Sequence, residues 1–344
     1  CLQCDPTMHI FTDPALLFFV FGVFAGLLKS NLEIPPAISR FLSLYLLMAL
    51  GLKGGFALAQ TGLTAQVATG LGLAVLLAVL VPLLGYALLR RVVGRFDAAA
   101  VAATYGSVSA VTFITATAHL DGEGMAYGGH MAAAMALMES PAIILAVLLA
   151  NLLRRQTAGV STNGGVAGGA LVLGGPPAGP GLALPKVLHE SFTDGAQLLL
   201  LGAMAVGWLS GESGREAMQP FSGDLFKGML AFFLLDMGLN AARQLPGLRG
   251  QSPWLLAYAV LAPLVHSMLA LGLAAVAGLP AGDGALLMVL AASASYIAVP
   301  AVVRHAIPEA NPSLYVGLSL GVTFPLNILL GIPLYTQLAQ ATLG

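Results

Sequence analysis

Apolar residues run in long blocks along this chain, and glycine, proline or a charge closes each block. The blocks predict helices near 14–30, 37–60, 64–90, 96–118, 126–153, 190–210, 224–243, 252–278, 282–304 and 312–340. Their lengths are close to the roughly 20 apolar residues that span a hydrocarbon core about 30 Å thick. From 156 to 186 the chain turns rich in Gly and Pro, including Gly174-Gly175-Pro176-Pro177, the composition of a flexible linker. The expected architecture is an all-α membrane protein of about ten transmembrane helices. Its parts are an N-terminal segment (1–13), a first group of five helices (14–155), a linker (156–186) and a second group of five (187–344).

Composition sharpens this picture. Of 344 residues, 58% are hydrophobic and 8% charged, whereas a soluble domain carries roughly a quarter charged residues. This sequence cannot make a solvated surface. Net charge is −1 and the basic residues form no long cluster, so nucleic acid is not an expected partner and the bilayer interior is. Cys1 and Cys4 form a C-x-x-C without further ligands nearby, so no metal or cofactor is expected there. Met8 reads as the natural start, with residues 1–7 as an artefact, and the first apolar run is too long for a cleavable signal peptide.

The two halves resemble each other. Ala78-Val79-Leu80-Val81-Pro82-Leu83 matches Ala259-Val260-Leu261-Ala262-Pro263-Leu264, and Gly51-Leu52-Lys53 matches Gly238-Leu239-Asn240, with Arg40 and Lys227 upstream in register. Ser107-Val108-Ser109 matches Ser293-Ala294-Ser295, and Pro141 matches Pro325. The matches keep one order at a spacing of 181 to 187 residues. An odd number of helices in each half makes the second enter from the opposite side, which predicts an inverted repeat of the kind found in secondary transporters. Lys29, Arg40, Arg90, Arg91, Arg95, Arg154, Arg155, Lys186, Arg243, Arg249 and Arg304 fall on one predicted side, and Lys53, Arg215 and Lys227 on the other. Cytoplasmic loops are enriched in Lys and Arg, so both termini are expected outside and the linker inside.

Transporters of this kind bind substrate where discontinuous helices present backbone N–H groups at mid-membrane. The predicted fourth helix is interrupted at Thr104-Tyr105-Gly106-Ser107-Val108-Ser109 and the ninth at Ala292-Ser293-Ala294-Ser295-Tyr296. Gly106, Ser107, Ser109, Thr112, Ser293 and Ser295 are therefore the expected substrate-binding residues, because hydroxyls both donate to anions and coordinate hard cations. The competing reading is close helix packing through small residues. Lys53, Glu139 and Asp236 are ionisable residues at membrane depth, where charge is costly and marks function or pairing. Glu139 with its counterpart Thr323, and Lys53 with its counterpart Asn240, are the expected ion-coupling residues. Lys53 and Asp236 have each other or Glu139 as expected partners, and His266 is read as a packing residue.

Several segments resemble the SbtA family of sodium-dependent bicarbonate transporters: Ile34-Pro35-Pro36-Ala37-Ile38-Ser39, Gly51-Leu52-Lys53-Gly54-Gly55, Val108-Ser109-Ala110-Val111-Thr112 and Ala262-Pro263-Leu264-Val265-His266. The most specific is Ile307-Pro308-Glu309-Ala310-Asn311-Pro312-Ser313-Leu314-Tyr315-Val316-Gly317. The resemblance implies bicarbonate uptake by sodium symport across a bacterial inner membrane, through a homotrimer of ten-helix subunits. It also implies that bicarbonate and sodium bind near Ser107, Ser109, Thr112, Ser293 and Ser295, with Glu139 as the acidic residue before the fifth-helix proline.

Three positions depart from the family. Tyr296 stands where an acidic residue is usual, Ala110-Val111 shortens the hydroxyl run, and Lys53 replaces a threonine. Losing a carboxylate and gaining an ammonium is the exchange expected where lysine substitutes for a bound cation. The alternative to sodium symport of bicarbonate is thus a permease of the same fold for another anion or organic acid, without sodium coupling. The short linker argues against regulation by the family's PII-like partner. An intramembrane hydrolase using Ser107 or Ser109 with His130 or His266 has no G-x-S-x-G turn to support it, so no enzyme activity is expected. A channel would share the hydrophobicity and could share the repeat, and saturable, gradient-dependent uptake separates a transporter from it.

Overall fold

A computed structural model of the protein describes residues 13–62, 64–160, 195–248 and 250–344. Cys1, Cys4, Met8 and most of the expected linker lie outside the described residues. The described chain is helical throughout, without strands. In order the helices are α1 (Pro14–Leu27), α2 (Pro36–Thr61), α3 (Ala65–Leu89), α4 (Arg95–Gly106), α5 (Ala110–Gly122) and α6 (His130–Val160). The second half continues with α7 (Gly195–Gln219), α8 (Phe226–Gln244), α9 (Pro253–Ala277), α10 (Ala281–Ala292), α11 (Ala298–Ala306) and α12 (Pro312–Leu343). Seven helical stretches among the described residues are long and apolar enough to cross a membrane. One of them, Gly195–Leu248, joins α7 and α8, and α1 and α10 are shorter apolar helices.

Local chemistry sets several boundaries. Asp13 accepts hydrogen bonds from the Ala15 and Leu16 N–H groups at 2.7 and 3.3 Å, and Pro14 takes the first helical position of α1. Gly278 closes α9 in the left-handed conformation. The predicted spans fall on these helices, with shifts where tertiary contacts add turns. α5 runs on to Gly122, past the expected end at 118, because Asp121 is held by Lys53 and by the Tyr127 hydroxyl. α6 begins at His130 rather than 126, and its backbone continues to Val160, into the stretch expected as linker. α7 extends beyond 210 across a kink at Gly211.

Burial separates the helices into two kinds. In the span Arg95–Gly122, 94% of the most apolar window is buried, and every residue of α10 from Gly282 to Ala292 is buried. Helices apolar on all sides and covered on all sides form the interior of a bundle. α1, α3 and α9 instead expose large apolar side chains, among them Phe21, Phe24, Leu76, Leu84, Leu261 and Val265. Such surfaces suit acyl chains, which can satisfy no backbone polar group and ask for none.

Two further crossings are made through glycine. A Cβ on Gly22 of α1 would fall on the Leu235 carbonyl of α8, and one on Gly238 would fall on the Phe19 carbonyl. α2 meets α7 in the same way, Gly51 and Gly55 lying against the Leu200 and Met204 carbonyls, and a Cβ on Gly207 would come within 2.6 Å of the Leu52 carbonyl oxygen. Backbones approach this closely only where side chains are missing.

The two ends of the bundle differ in their balance of charge. At one end a cleft of about 370 Å³ is lined by Arg90, Arg91 and Arg95, Asp97 accepts from the Asn311 N–H at 2.8 Å, and Arg243 donates to the Leu32 carbonyl at 3.2 Å. Arg154 reaches across there in a two-pronged pair with Glu309, at 2.9 and 2.8 Å. The other end holds Asp13, Asp121, Glu123, Glu212 and Asp283. The hydrogen bond from Arg154 holds the Glu309 carboxyl below the usual carboxylate range. Its stabilisation is therefore present at neutral pH and is lost as pH falls through that lowered value. Both side chains are about a third exposed, so the effect is small. Melting of the solubilised protein between about pH 7 and pH 3 should lose less stability in Arg154→Met than in the parent, and an unchanged loss would count against the pair.

Candidate functional site at the crossing of two interrupted helices

The interior helix pair α4–α5 is interrupted where the sequence changes from an alanine-rich run to Ser107-Val108-Ser109, residues that favour caps and extended backbone over helix interior. α4 ends at Gly106, beneath Pro82 of α3. A Cβ at Gly106 would meet the proline ring at 2.5 to 2.7 Å, so only glycine fits. Ser107 is extended, and Ser109 then caps α5, its hydroxyl accepting from the Thr112 N–H at 3.2 Å and from the Thr112 hydroxyl at 2.9 Å. The pair α10–α11 is interrupted likewise. Ser293 is extended after Ala292, and the Ser295 hydroxyl accepts from the Val299 N–H at 3.3 Å.

The two interruptions meet. The Ser109 N–H donates to the Ser293 hydroxyl at 3.1 Å, and the Ser295 N–H donates to the Thr104 carbonyl at 2.8 Å. Each break thus supplies a partner for the backbone of the other, as buried irregular backbone requires. The Ser293 hydroxyl in turn donates to the Leu290 carbonyl at 2.9 Å. The Ser107 hydroxyl is buried with no hydrogen-bond partner among the described residues.

A cavity of about 250 Å³ opens beside this crossing. The first turn of α5, at Ala110 and Val111, and the first turn of α11, at Ala298, both line it. The initial N–H groups of a helix have no partner within the helix and carry roughly half a positive charge between them. Two such ends on one cavity make it attractive to an anion. Glu139 of α6 is the one carboxylate among the described residues that line the cavity. It accepts from the side-chain amide of Gln197 on α7 at 2.5 Å. Leu47, Met135, Leu200 and Val302 supply apolar walls.

A sequence profile of the Na+-dependent bicarbonate transporter superfamily matches residues 14–340. The chain belongs to this superfamily. No curated protein matches it. Membership of a transporter superfamily and seven membrane-length helices identify a multi-pass membrane protein, and they point away from an enzyme.

Of the residues singled out in the sequence, Ser109, Ser295 and Glu139 line the cavity together. Gly106, Ser107, Thr112 and Ser293 build the crossing behind it. The remaining three stand elsewhere. The Thr323 hydroxyl donates to the Ala259 carbonyl at 2.7 Å, and with that proton committed it accepts from Tyr105 at 2.6 Å. Asn240 donates to Asp236 at 3.2 Å, and Ser39 donates to the other Asp236 oxygen at 2.5 Å, tying α2 to α8. Lys53 pairs with Asp121 at 3.2 Å and lies 4.4 Å from the Phe226 ring centre, so its partner is neither Asp236 nor Glu139. The lysine does not line the cavity, and it does not stand there for a cation.

Sequence reasoning missed Gln197, whose side chain is the hydrogen-bond partner of Glu139. Its signal was available, a lone carboxamide in an otherwise apolar span, which at membrane depth asks for a partner. It also missed Asp283, buried 3.7 Å from His130 at the acidic end of the molecule, where it accepts from the Gly128 N–H at 2.6 Å.

Proposed function

We propose that this protein is a secondary active transporter that carries bicarbonate by sodium symport across a bacterial inner membrane. One observation carries the reading: the first turns of two helices, α5 capped by Ser109 and α11 with the Ser295 hydroxyl accepting from its Val299 N–H, line the same cavity as one carboxylate. The N-termini suit the anion, and Glu139 with nearby hydroxyl and carbonyl oxygens suits a hard cation. Membership of the superfamily supports both ions.

The same proposal holds that ten transmembrane segments form two inverted five-helix halves, with α4–α5 and α10–α11 as the interrupted fourth and ninth. The paired glycine crossings support it. Gly238 follows Gly51 by 187 residues and Gly207 follows Gly22 by 185, within the spacing of the sequence matches, so each crossing is the other's counterpart. The basic end is assigned to the cytoplasm with the linker, and both termini to the outside. A homotrimer without control by a PII-like regulator completes the reading.

Uptake of radiolabelled bicarbonate into proteoliposomes, with and without an inward sodium gradient, tests it. Saturable uptake that rises with the gradient is expected. The apolar walls at Leu47, Met135, Leu200 and Val302 favour a second reading, transport of a small organic acid without sodium coupling. Uptake indifferent to sodium, with bicarbonate flux suppressed by short monocarboxylates, would replace the first reading with the second.

A further inference from the structure

A second and larger cleft, about 860 Å³, opens at the acidic end between α1, α5, α8 and α12. Asp13, His119, Glu123 and Lys227 stand among its lining residues, with Leu16, Leu230 and Ile328 deeper along the same helices. The cavity beside Ser109 is walled by α2, α6, α7 and α11 together with the helix breaks. In the proposed repeat α8 is the counterpart of α2, α12 of α6, α1 of α7 and α5 of α11. The two cavities are thus built from equivalent helices, one in each half.

Between them stand three rings. Phe19 of α1 meets Phe324 of α12 edge to face, with centres 5.6 Å apart, and Phe324 meets Tyr296 at 5.2 Å. Tyr296 lines the cavity beside Ser109. Phe19 lies one helical turn beyond Leu16, and Phe324 one turn before Ile328, both of which line the larger cleft. Phe19 and Phe324 are fully buried. The Tyr296 hydroxyl points to the Met237 sulfur at 3.7 Å, and the Phe19 carbonyl sits against Gly238, so the stack is anchored on α8 at the glycine crossing.

We infer that the larger cleft is the outer approach to the binding cavity and that the Phe19–Phe324–Tyr296 stack is the barrier between them, closed in this structure while the cavity beside Ser109 opens toward the basic end. The inference rests on the transport reading for its purpose. It gives Tyr296, which lines the cavity beside Ser109 and packs on Phe324, a place in the barrier. The edge-to-face rings join α1, α12 and the break between α10 and α11, and they can separate without breaking a hydrogen bond between them.

Thiol accessibility tests this without any substrate, so a failed bicarbonate assay and a failed barrier are told apart. In a background with Cys1→Ser and Cys4→Ser, Ala110→Cys places a thiol in the inner cavity and Ala118→Cys places one in the outer cleft. A membrane-impermeant thiol reagent is applied to each face of oriented vesicles. Position 118 should react from the acidic face. Position 110 should react from the basic face and at least about tenfold more slowly from the acidic one, as for a site exposed there only in a minor conformation. Adding Phe324→Ala should raise the slow rate toward the fast one while position 118 keeps its rate, which reports an intact fold. If that variant does not reach the membrane, Phe324→Leu keeps most of the volume without the ring edges and answers the same question. Equal labelling of position 110 from both faces with the stack intact would overturn the inference. So would labelling that stays one-sided after the ring is removed.

Discussion

Glu139→Gln should lower sodium-driven uptake by about 10- to 100-fold, the equivalent of the roughly 1.5–3 kcal/mol carried by a contact to a charged group. The substitution keeps the shape of the side chain and leaves an oxygen to accept from the Gln197 amide, which lies 2.5 Å from the carboxylate. What it removes is the one negative charge among the described residues lining the cavity. Two helix N-termini already favour an anion there, so a cation is held beside them only if that charge is present. The loss should therefore fall on the sodium dependence of the rate more than on the affinity for bicarbonate. Uptake that keeps both its rate and its sodium dependence in this variant would remove Glu139 from the mechanism. Lys53→Met is the informative contrast. The lysine meets Asp121 outside the cavity, with both side chains about a third exposed, and such pairs are worth about 0.2–1 kcal/mol. Its uptake should differ from the parent by no more than about fivefold on that scale.

How far the site was legible in the sequence depends on the kind of residue. Ser107-Val108-Ser109 and Ser293-Ala294-Ser295 stood out because small polar residues interrupt runs that are otherwise apolar, and the structure brings the two together through the Ser109 N–H and the Ser293 hydroxyl. Gly106 belonged to the same interruption, but its reason was hidden, since the ring of Pro82 that excludes a Cβ comes from another helix. Gln197 and Asp121 were passed over for a similar reason. Each takes its meaning from a partner more than 50 residues away, Glu139 for the one and Lys53 for the other. Equivalent positions in the halves also need not share surroundings. Thr323 is the counterpart of Glu139 in the proposed repeat, yet it is tied to Ala259 and Tyr105 rather than exposed to the cavity. Helix boundaries failed where polar turns were held by tertiary contacts, as at Asp121 and Gly122, and where a kinked helix continued through Gly211.

Gly51→Ala and Gly238→Ala should each destabilise the folded protein by about 3 kcal/mol or more, at the upper end of overpacking costs, and by similar amounts. Added to Gly51, a Cβ would collide with the Leu200 carbonyl and lie 2.8 Å from the Ala203 Cβ. Added to Gly238, it would collide with the Phe19 carbonyl and lie 2.8 Å from the Val23 nitrogen. In both cases the obstacle is mainly the backbone of the crossing helix, which cannot turn aside as a side chain does. Lipid offers no hydrophobic drive to hold such helices together, so close packing is what the glycines contribute. Gly72 is the control, because its Cβ position meets nothing within 4 Å and it sits inside α3. Gly72→Ala should stabilise by about 0.5–1 kcal/mol through the lost freedom of the unfolded chain. Thermal unfolding of the solubilised protein reads all three variants. The similarity of the first two is the sharper demand, since it follows from treating the α2–α7 and α1–α8 crossings as one structure used twice in opposite directions. If one glycine tolerates alanine while its counterpart does not, the crossings are not equivalent, and the inverted repeat would then rest on the interrupted helices alone.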